Sequence, residues 1–416
     1  MSARPMKRVV VTGFGAISPI GHDWATVSER LRKGKSGVKV IPGWEEFKGL
    51  HTRVGAPTED FTLPPDRYNR KTTRSMGRVA LMATRATEVA ITDAGLAGHP
   101  ILTSGDTGVA YGSSTGSPPA IADFGTMLLR KSTDGVTANS YLRMMSHTAA
   151  VNIGVFFGLT GRIVTTSSAC TSASQGIGYA FEMIRSGRQK VMLAGGGEEL
   201  DVTEAAVFDV LFATSVRYNE RPELTPRPFD VDRDGLVVGE GACTLVLEEL
   251  EFALERGAPI HAELVGFGTN SDGAHVTQPN SATMARAIRL ALEDAGIAPQ
   301  DVGYVNAHGT ATSHGDVAET HATAQVFGNR MPISSLKSYM GHTMGACGSL
   351  EAWISIRMMH ENWFAPTLNL VQVDPRCAEL DYITGSGRRL QTDIIMSNNF
   401  AFGGINTSLI FRRWAD

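Results

Sequence analysis

Residues 86–96 read ATEVAITDAGL, and residues 287–297 read AIRLALEDAGI. The two stretches share two alanines, an Asp-Ala-Gly and a final aliphatic residue at the same spacing, and each predicts an amphipathic helix that ends at a glycine. A Gly-Phe-Gly ends the strand predicted before each helix, and another strand is predicted after it: VVVTGFG (9–15) and TGVAYGSS (107–114), then ELVGFG (263–268) and VGYVNAHGT (302–310). We expect a strand–helix–strand unit that occurs twice, with chance similarity of two short helices as the alternative.

The rest of the chain alternates in the same way. Helices are predicted at 172–186, 247–256, 283–295, 316–327 and 345–360, and strands at 162–167, 190–195, 242–248, 332–335 and 407–412. This alternation indicates a layered α/β fold with mostly parallel, buried strands. We divide it into an N-terminal half, 1–258, with cap insertions in 16–80 and 115–160, and a C-terminal half, 259–416.

Composition excludes several classes of protein. Of the 416 residues 42% are hydrophobic, enough for a large core, and the net charge of -4 argues against nucleic-acid binding. The four cysteines are widely spaced, without a disulfide or zinc pattern, which favours a reducing compartment. The N-terminus enters a strand directly, and no apolar run approaches the roughly 20 residues of a membrane helix. We expect a soluble cytoplasmic protein with no metal and no membrane or nucleic-acid partner.

Cys170 is the candidate nucleophile. It lies in TTSSACTSASQGIGYAFEMIRSG (165–187), where a predicted strand ends and a predicted helix begins. The positive end of a helix dipole favours an anion, so a cysteine there tends toward the reactive thiolate. The alternative is a small buried hydrophobic residue, which is what most lone cysteines are.

Three glycine-rich segments offer partners for that thiol. NAHGTATSHGD (306–316) carries His308, SSLKSYMGHTMGACGSLEAW (334–353) carries Lys337 and His342, and SNNFAFGGIN (397–406) carries Phe400 and Phe402. Taken singly, each of these residues has a simpler interpretation: a surface histidine, a solvated lysine, a phenylalanine of the core, or a glycine pair in a turn. The thiol and both histidines, however, fall at corresponding strand-to-helix positions of the two halves. We expect pseudo-twofold packing to bring them to a shared centre.

With these segments assembled, the chain resembles the β-ketoacyl-acyl carrier protein synthases, in their elongating I/II class, within the thiolase-like superfamily. Further segments carry the resemblance: RVVVTGFGAISPIG (8–21), PRPFDVDRDGLVVGEGA (226–242), LKSYMGH (336–342) and NTSLIF (406–411). The resemblance implies a layered αβαβα fold built from two similar halves. It also implies decarboxylative condensation of an acyl thioester with malonyl-acyl carrier protein, in fatty acid biosynthesis or a related polyene or polyketide pathway, without a cofactor.

The resemblance assigns roles residue by residue. Cys170 would carry the acyl chain, and His308 and His342 would promote decarboxylation by hydrogen bonds to the malonyl thioester oxygen. The N–H groups of Cys170 and Phe402 would form the oxyanion hole. Lys337 would organise the histidine network, with Glu319 as its carboxylate partner and Asp316 in support. Thr310 and Thr312 would contact the pantetheine arm. Phe400 would act as a gate, and Thr115 would limit the depth of the acyl pocket.

Three residues depart from the family pattern. Ala401 replaces the glycine usual between the two phenylalanines, which would restrict motion of the gate, because alanine reaches positive φ less freely. Asn399 replaces a common serine, and Tyr339 stands where smaller residues are frequent. These differences leave room for a specialised substrate, such as an unsaturated or aryl-primed polyene chain.

An acidic carrier protein requires a basic docking surface. The segment RYNRKTTRSMGR (67–78) supplies Arg70, Lys71, Arg74 and Arg78, and Arg130 with Lys131 forms a second cluster; solvated helix faces are the alternative. The family is dimeric, so we expect a homodimer buried through the first-half sheet, or a heterodimer with a chain-length factor.

Three other functions compete with this one. A degradative thiolase would use a second cysteine and one histidine, whereas this chain has His308 and His342. A chain-length-factor subunit typically lacks the nucleophilic cysteine, whereas Cys170 is present. A Cys/His hydrolase would need a water route to the acyl-enzyme.

Overall fold

The computed structural model describes residues 6–415. Its helices are α1 Trp24–Arg32, α2 Arg70–Thr73, α3 Arg78–Asp93, α4 Pro118–Arg130, α5 Ala138–Met144, α6 Thr148–Phe157, α7 Ser172–Arg185, α8 Val202–Asp209, α9 Leu250–Glu255, α10 Ser281–Ala295, α11 Ser313–Phe327, α12 Lys337–Met340 and α13 Cys347–Glu361. Its strands are β1 Val9–Ile17, β2 Lys39–Val40, β3 Val54–Ala56, β4 Thr107–Gly112, β5 Ile163–Thr165, β6 Val191–Glu198, β7 Val238–Gly239, β8 Gly241–Glu249, β9 Ala262–Ser271, β10 Tyr304–Asn306, β11 Pro332–Ser334, β12 Trp363–Phe364, β13 Asp381–Tyr382, β14 Arg388–Arg389, β15 Ile394–Ala401 and β16 Ile405–Arg413.

The main sheet repeats one strand order. Across the first half the order is β5-β4-β6-β8-β1, and across the second it is β11-β10-β15-β16-β9, with β13 added at the outer edge. Numbered within its own half, each set reads third, second, fourth, fifth, first. The two first strands, β1 and β9, pair with each other from Val9↔Leu264 to Val11↔Ala262. The two similar halves therefore meet at this central pair.

The helices complete five layers. Helices α3 and α6 cover the outer face of the first half-sheet, and α10 with α11 lies on the outer side of the second. Between the half-sheets, α7 packs on β4 and β6, α13 packs on β15 and β8, and the two helices contact each other. The layered αβαβα fold implied by the resemblance is confirmed.

The repeated sequence has a steric cause. A Cβ added to Gly13 or Gly15 of β1 would meet backbone atoms of Ala90, and one on Gly266 or Gly268 of β9 would meet Ala291, each well inside van der Waals contact. Glycine facing alanine lets each helix lie closer to its strand than larger residues would allow. Asp93 and Asp294, from the two Asp-Ala-Gly triplets, accept the N–H groups of Phe14 and Phe267, each two residues after a bulge in its strand. Each half-sheet is thus fixed to its helix by the same contacts.

The expectation of mostly parallel strands was wrong. Of the ten neighbouring pairs in the described main sheet, five are parallel and five antiparallel. Strands β15 and β16 form a tight hairpin, and β8 runs antiparallel to β6, so neither pair can be parallel. These strands are buried on both faces, so the apolar alternation typical of an antiparallel sheet is absent.

The segment 247–256 was also predicted as one helix. Strand β8 instead continues to Glu249, because its pairing with β1 extends to Val9, and α9 begins only at Leu250. No helix within residues 6–415 is long and apolar enough to cross a bilayer.

Candidate active site

Cys170 lies at the turn that precedes α7. Strand β5 ends at Thr165, a single 3-10 turn spans Ala169–Thr171, and α7 begins at Ser172. Ala169 adopts φ 50°, in the left-handed region, which bends the chain sharply just before the cysteine. The Cys170 side chain is buried with 6% exposure, at the strand-to-helix junction expected from the sequence.

His342 contacts the sulfur directly. Its Nε2 lies 2.9 Å from the Cys170 Sγ, and its Nδ1 accepts the N–H of Met344 at 3.2 Å. Because Nδ1 is an acceptor, the neutral ring carries its proton on Nε2, which faces the thiol. Burial, with the charge of Lys337, lowers the pKa of His342 well below its ordinary value, so the ring is neutral at physiological pH.

His308 completes the group from the other half-sheet. The two imidazoles are perpendicular with centroids 5.1 Å apart, and one ligand atom from each lies within 4.8 Å of the others and of the sulfur. The Asn399 amide lies 3.4 Å from the His308 Nδ1, an arrangement that again leaves the proton on Nε2. Burial, Lys337 and His342 lower the pKa of His308 well below its ordinary value. Two neutral N–H donors therefore converge beside one thiol.

The thiol itself is not a resting thiolate. Burial raises the pKa of Cys170 to about 11, even though Lys337 and the N–H groups of Phe402 and Cys170 lower it. The expectation that the helix N-terminus would favour the thiolate is therefore wrong, since desolvation of the anion outweighs the N–H groups and the charge of Lys337.

The same two N–H groups form a candidate oxyanion hole. The N–H groups of Phe402 and Cys170 both act on the Cys170 sulfur. Phe402 starts the three-residue turn between β15 and β16, where Gly403 and Gly404 take the left-handed φ values of 89° and 70°. Ala401 still lies in β15, outside the positive-φ residues, so its backbone conformation is open to alanine, and the restricted motion of the gate stays a prediction. Phe400 is buried, with its ring 6.3 Å from that of His308.

Lys337 has a different partner from the expected one. Its ammonium forms a fully buried ion pair with Glu351 of α13, not with Glu319. Burial disfavours the ammonium, but Glu351 outweighs it and holds the pKa of Lys337 above its ordinary value. Glu351 also accepts from the Asn399 amide at 2.8 Å, and that amide lies beside His308. The lysine thus connects to His308 through Glu351 and Asn399.

Glu319 and Asp316 instead hold the loop that carries His308. Glu319 accepts the N–H groups of His308 and Gly309, each at 2.7 Å, and burial raises the pKa of Glu319 to about 8. Asp316 accepts the N–H of Ala311 at 3.1 Å, and burial raises its pKa to about 6. Both carboxyl groups therefore fix the backbone after β10 rather than pairing with the lysine.

A cavity of about 1040 Å³ leads from the surface to the thiol. Cys170, both histidines and Phe400 line its inner end, with Thr310 and Thr312 farther along the wall, their hydroxyls 2.9 Å apart. Leu211, Phe212 and Val276, all largely exposed, line the cavity as well. Thr115 is not among the lining residues: its hydroxyl bonds to Glu204 at 2.8 Å and to Glu198 at 3.2 Å. The hydroxyl of Tyr339 reaches the Leu31 carbonyl in the core, so this departure does not contact the cavity.

The candidate docking residues lie on the surface. Arg70, Lys71 and Arg74, on and just after α2, are exposed, as are Arg130 and Lys131 at the end of α4. Arg78 differs, because its guanidinium pairs with the buried Glu240 at 2.7 Å.

Sequence reasoning missed two neighbours of the nucleophile. Glu351 is one of them. It could have been found as a carboxylate in the otherwise largely apolar helix that follows the lysine motif. Cys347 is the other: it donates to the Cys170 carbonyl at 3.2 Å and lies beside the Asn399 amide. It occupies the GAC segment after His342, where an interior cysteine gives no signal distinct from packing.

Cys170, His308 and His342 are also the one set of three potential metal ligands found within residues 6–415. The charge of Lys337 acts on all three, which opposes binding of a cation there.

The sequence of this chain is similar to those of known proteins. The N-terminal domain of the β-ketoacyl synthases matches residues 6–253, and the C-terminal domain of the same family matches residues 261–371. The chain is 36% identical over 411 residues to 3-oxoacyl-[acyl-carrier-protein] synthase 1 of Haemophilus influenzae, covering 98% of this chain and all of that protein.

Solved structures of β-ketoacyl synthases and of a ketosynthase are also similar to this chain. A β-ketoacyl synthase from Burkholderia phymatum is 61% identical, with a TM-score of 0.97 over 99% of this chain and all of that one. The ketosynthase of a type II polyketide synthase, solved in complex with its acyl-carrier protein, is 30% identical, with a TM-score of 0.88 over 99% of this chain and all of that one. The chain belongs to the β-ketoacyl synthases, acyltransferases of the elongating I/II class.

Proposed function

We propose that this enzyme condenses an acyl thioester with malonyl-acyl carrier protein, releasing carbon dioxide and forming a 3-oxoacyl-acyl carrier protein. The observation that carries the proposal is the meeting of one thiol and two neutral imidazole N–H donors at the inner end of the cavity. A degradative thiolase or a hydrolase has no need for the second donor.

In the first step, the Cys170 sulfur attacks the acyl thioester. A bond forms from Sγ to the acyl carbon, the bond from that carbon to the carrier sulfur breaks, and the Cys170 proton ends on the carrier thiol. Charge on the carbonyl oxygen is stabilised by the N–H groups of Phe402 and Cys170. The nearby ammonium of Lys337 lowers the cost of ionising the thiol.

In the second step, the malonyl group loses carbon dioxide. The carbon–carbon bond breaks, and its electron pair moves toward the thioester oxygen as an enolate. His308 and His342 each donate Nε2–H to that oxygen, and one such donor is typically worth about 3–4 kcal/mol of transition-state stabilisation. The enolate carbon then forms a bond to the acyl carbon, the bond from that carbon to the Cys170 sulfur breaks, and the sulfur takes up one proton from solvent.

The remaining assignments belong to the same proposal. Lys337 orients His308 through Glu351 and Asn399. Phe400 gates the second step, and Thr310 and Thr312 bind the pantetheine arm along the cavity wall. No cofactor takes part. The two halves divide at 258/259, in the loop between α9 and β9.

The carrier protein would dock on a basic surface formed by Arg70, Lys71, Arg74, Arg130 and Lys131. Their exposure supports this, and so does the net charge of -4, since an acidic partner needs a local basic surface on an acidic enzyme. Arg78 contributes less, because Glu240 already neutralises it.

The chain would form a homodimer with a second copy of itself, and a heterodimer with a chain-length factor is the alternative. The protein would act in the cytoplasm. Strand β5 is the open edge of the first half-sheet, and Ile163 on it is exposed. Val155 of α6 and Leu129 of α4, in the same half, are 77% and 87% exposed, and burial of such apolar side chains against a partner would favour association.

The decarboxylation step is tested by removing both histidines. In His308→Ala/His342→Ala we expect carbon dioxide release from malonyl-acyl carrier protein to fall at least about 1000-fold, because two hydrogen-bond donors to the enolate are lost. His51→Ala, an exposed histidine that pairs with Asp209, is the matched control. Release at the wild-type rate by the double variant would refute the assigned role.

A further inference from the structure

The opening of the cavity carries apolar side chains that the proposed reaction does not use. Leu211, Phe212 and Val276 line the cavity and are also exposed to solvent, so they lie at its mouth. Leu211 and Phe212 belong to the turn that follows α8, and Val276 belongs to the loop between β9 and α10. We call these three residues the mouth surface. Exposed apolar side chains that separate segments bring together are typical of an interaction site.

The fold does not explain why residue 212 is a phenylalanine. Phe212 has φ 55°, a left-handed conformation that is uncommon for a bulky residue and typical of glycine or asparagine. A backbone hydrogen bond closes the turn, from the N–H of Ala213 to the carbonyl of Phe208 at 2.9 Å, and it does not involve the side chain of residue 212. Phe212 is also 87% exposed, so its ring adds little to the core. The aromatic ring therefore indicates contact with an external partner.

The exposed apolar area continues beside the mouth surface. Val210 directly precedes Leu211, and Val207 lies one helical turn earlier on the same face of α8; both valines are exposed. The opposite side of α8 is anchored in the protein, because Phe208 is buried with its ring 5.3 Å from that of Phe402. The exposed residues are thus held on a fixed element next to the cavity.

The two arginines of the cavity lining are already paired. Arg233 is buried with its guanidinium 2.6 Å from the carboxylate of Asp374, and Arg376 reaches the same carboxylate at 2.7 Å. An acidic partner therefore gains little charge attraction at the mouth. Burial of apolar area is the main stabilisation that this surface can offer.

The partner at the mouth has to leave the cavity accessible to substrate. Cys170 lies at the inner end of the cavity, and Thr310 and Thr312 lie along the wall that leads to it. A second copy of this chain, bound permanently over the mouth, would block that route. A carrier protein instead brings the pantetheine arm with it, and the carrier surface around the base of the arm then lies against the mouth.

We propose that Phe212, with Leu211 and Val276, forms an apolar docking surface for the acyl carrier protein. The partner that fits is a carrier protein with an apolar side chain beside the residue that bears the arm. This inference rests on the proposed function, because it requires the acyl group to arrive on a carrier protein. The basic surface of the enzyme then attracts the carrier protein, and the mouth surface holds the base of the arm over the cavity.

The test compares two substrates with the same acyl group: acyl-acyl carrier protein, and acyl-pantetheine, which is the arm alone. In Phe212→Asn we expect kcat/KM for acylation of Cys170 by the carrier-bound substrate to fall on the order of 10-fold, because truncation of an aromatic anchor weakens an interface by this much. The value for acyl-pantetheine should not change. Asparagine accepts the left-handed conformation, so the turn is retained. Leu254→Asn, at an exposed residue of α9 outside the cavity lining, is the matched control and should leave both values unchanged.

A conservative variant and the salt dependence separate apolar contact from charge. Phe212→Leu keeps part of the apolar area and should retain part of the activity with acyl-acyl carrier protein. The loss in Phe212→Asn should not shrink at high salt, whereas the loss in Arg70→Ala/Lys71→Ala should shrink, because salt screens exposed charges and leaves apolar contacts in place.

An unchanged kcat/KM of Phe212→Asn with acyl-acyl carrier protein would overturn the inference. An equal loss with both substrates would overturn it too, because the ring would then act on the arm or on the reaction centre. A change in the mass of the assembly in Phe212→Asn would assign the mouth surface to a second copy of the chain instead. Failure of the proposed function is a different result: neither substrate would acylate wild type at Cys170.

Discussion

At the scale of single residues, burial controls the protonation of the site. The sequence could place Cys170 at a helix N-terminus and His308 and His342 at strand ends, and the structure brings the three together. It could not predict the protonation state, because desolvation depends on packing from both halves. Burial leaves the thiol protonated and both imidazoles neutral. A neutral imidazole is the form in which Nε2 donates while Nδ1 accepts.

This protonation state predicts the pH dependence of thiol alkylation. Because burial raises the pKa of Cys170 to about 11, the thiolate fraction grows as pH rises through 9 and does not level off there. The rate of iodoacetamide modification at Cys170, followed by peptide mass spectrometry between pH 6 and about 10, should increase throughout. A plateau reached near pH 7 would show that the helix dipole and Lys337 outweigh burial.

The carboxylate partner of Lys337 shows the limit of single-residue inference. Glu319 and Glu351 both lie on helices that follow strand-end loops, and the spacing from Lys337 does not distinguish them. Only the packing of α13 against α7 and β15 places Glu351 beside the ammonium.

At the scale of elements, the repeated glycines and alanines allowed part of the fold to be predicted from the sequence. They predict two equivalent strand–helix units because close contact between a strand and a helix requires small residues on both surfaces. The direction of strands β8, β15 and β16 could not be predicted from the sequence. These strands are buried on both faces and lack the alternation of apolar and polar residues that is typical of an antiparallel sheet.

The close contact predicts a large effect of one methyl group. In Gly15→Ala or Gly268→Ala the new Cβ would overlap the backbone of α3 or α10, so we expect the free energy of unfolding to fall by about 1–3 kcal/mol or more. Urea denaturation followed by circular dichroism measures it. Gly125→Ala is the matched control, because a Cβ there meets no atom within 4 Å and alanine favours the middle of α4. Equal stability of the three variants would contradict the steric account.

At the scale of the whole molecule, the first half-sheet ends in an open edge. Strand β5 has a neighbour on one side only, and the apolar residues of α4, α5 and α6 are exposed on the same half. The sequence predicted a dimer through this half only by resemblance, because exposure of those side chains is a property of the folded chain.

A charge at this edge should therefore dissociate the assembly. We expect wild type to elute as a dimer, and Ile163→Asp/Val155→Asp to elute as a monomer, because a buried unpaired carboxylate strongly disfavours association. Light scattering coupled to size-exclusion chromatography gives the mass. Val371→Asp, at another residue that is 84% exposed, should remain dimeric. A dimer that survives the double change would place the interface elsewhere.

The central claim is that Cys170 carries the acyl group between the two half-reactions. Intact-protein mass spectrometry after incubation with an acyl-acyl carrier protein tests it most directly. We predict that wild type and Cys243→Ala gain one acyl group, that peptide mapping places it on Cys170, and that malonyl-acyl carrier protein then removes it. Cys170→Ala should gain none. An unmodified wild type, or equal acylation of Cys170→Ala, would contradict the account.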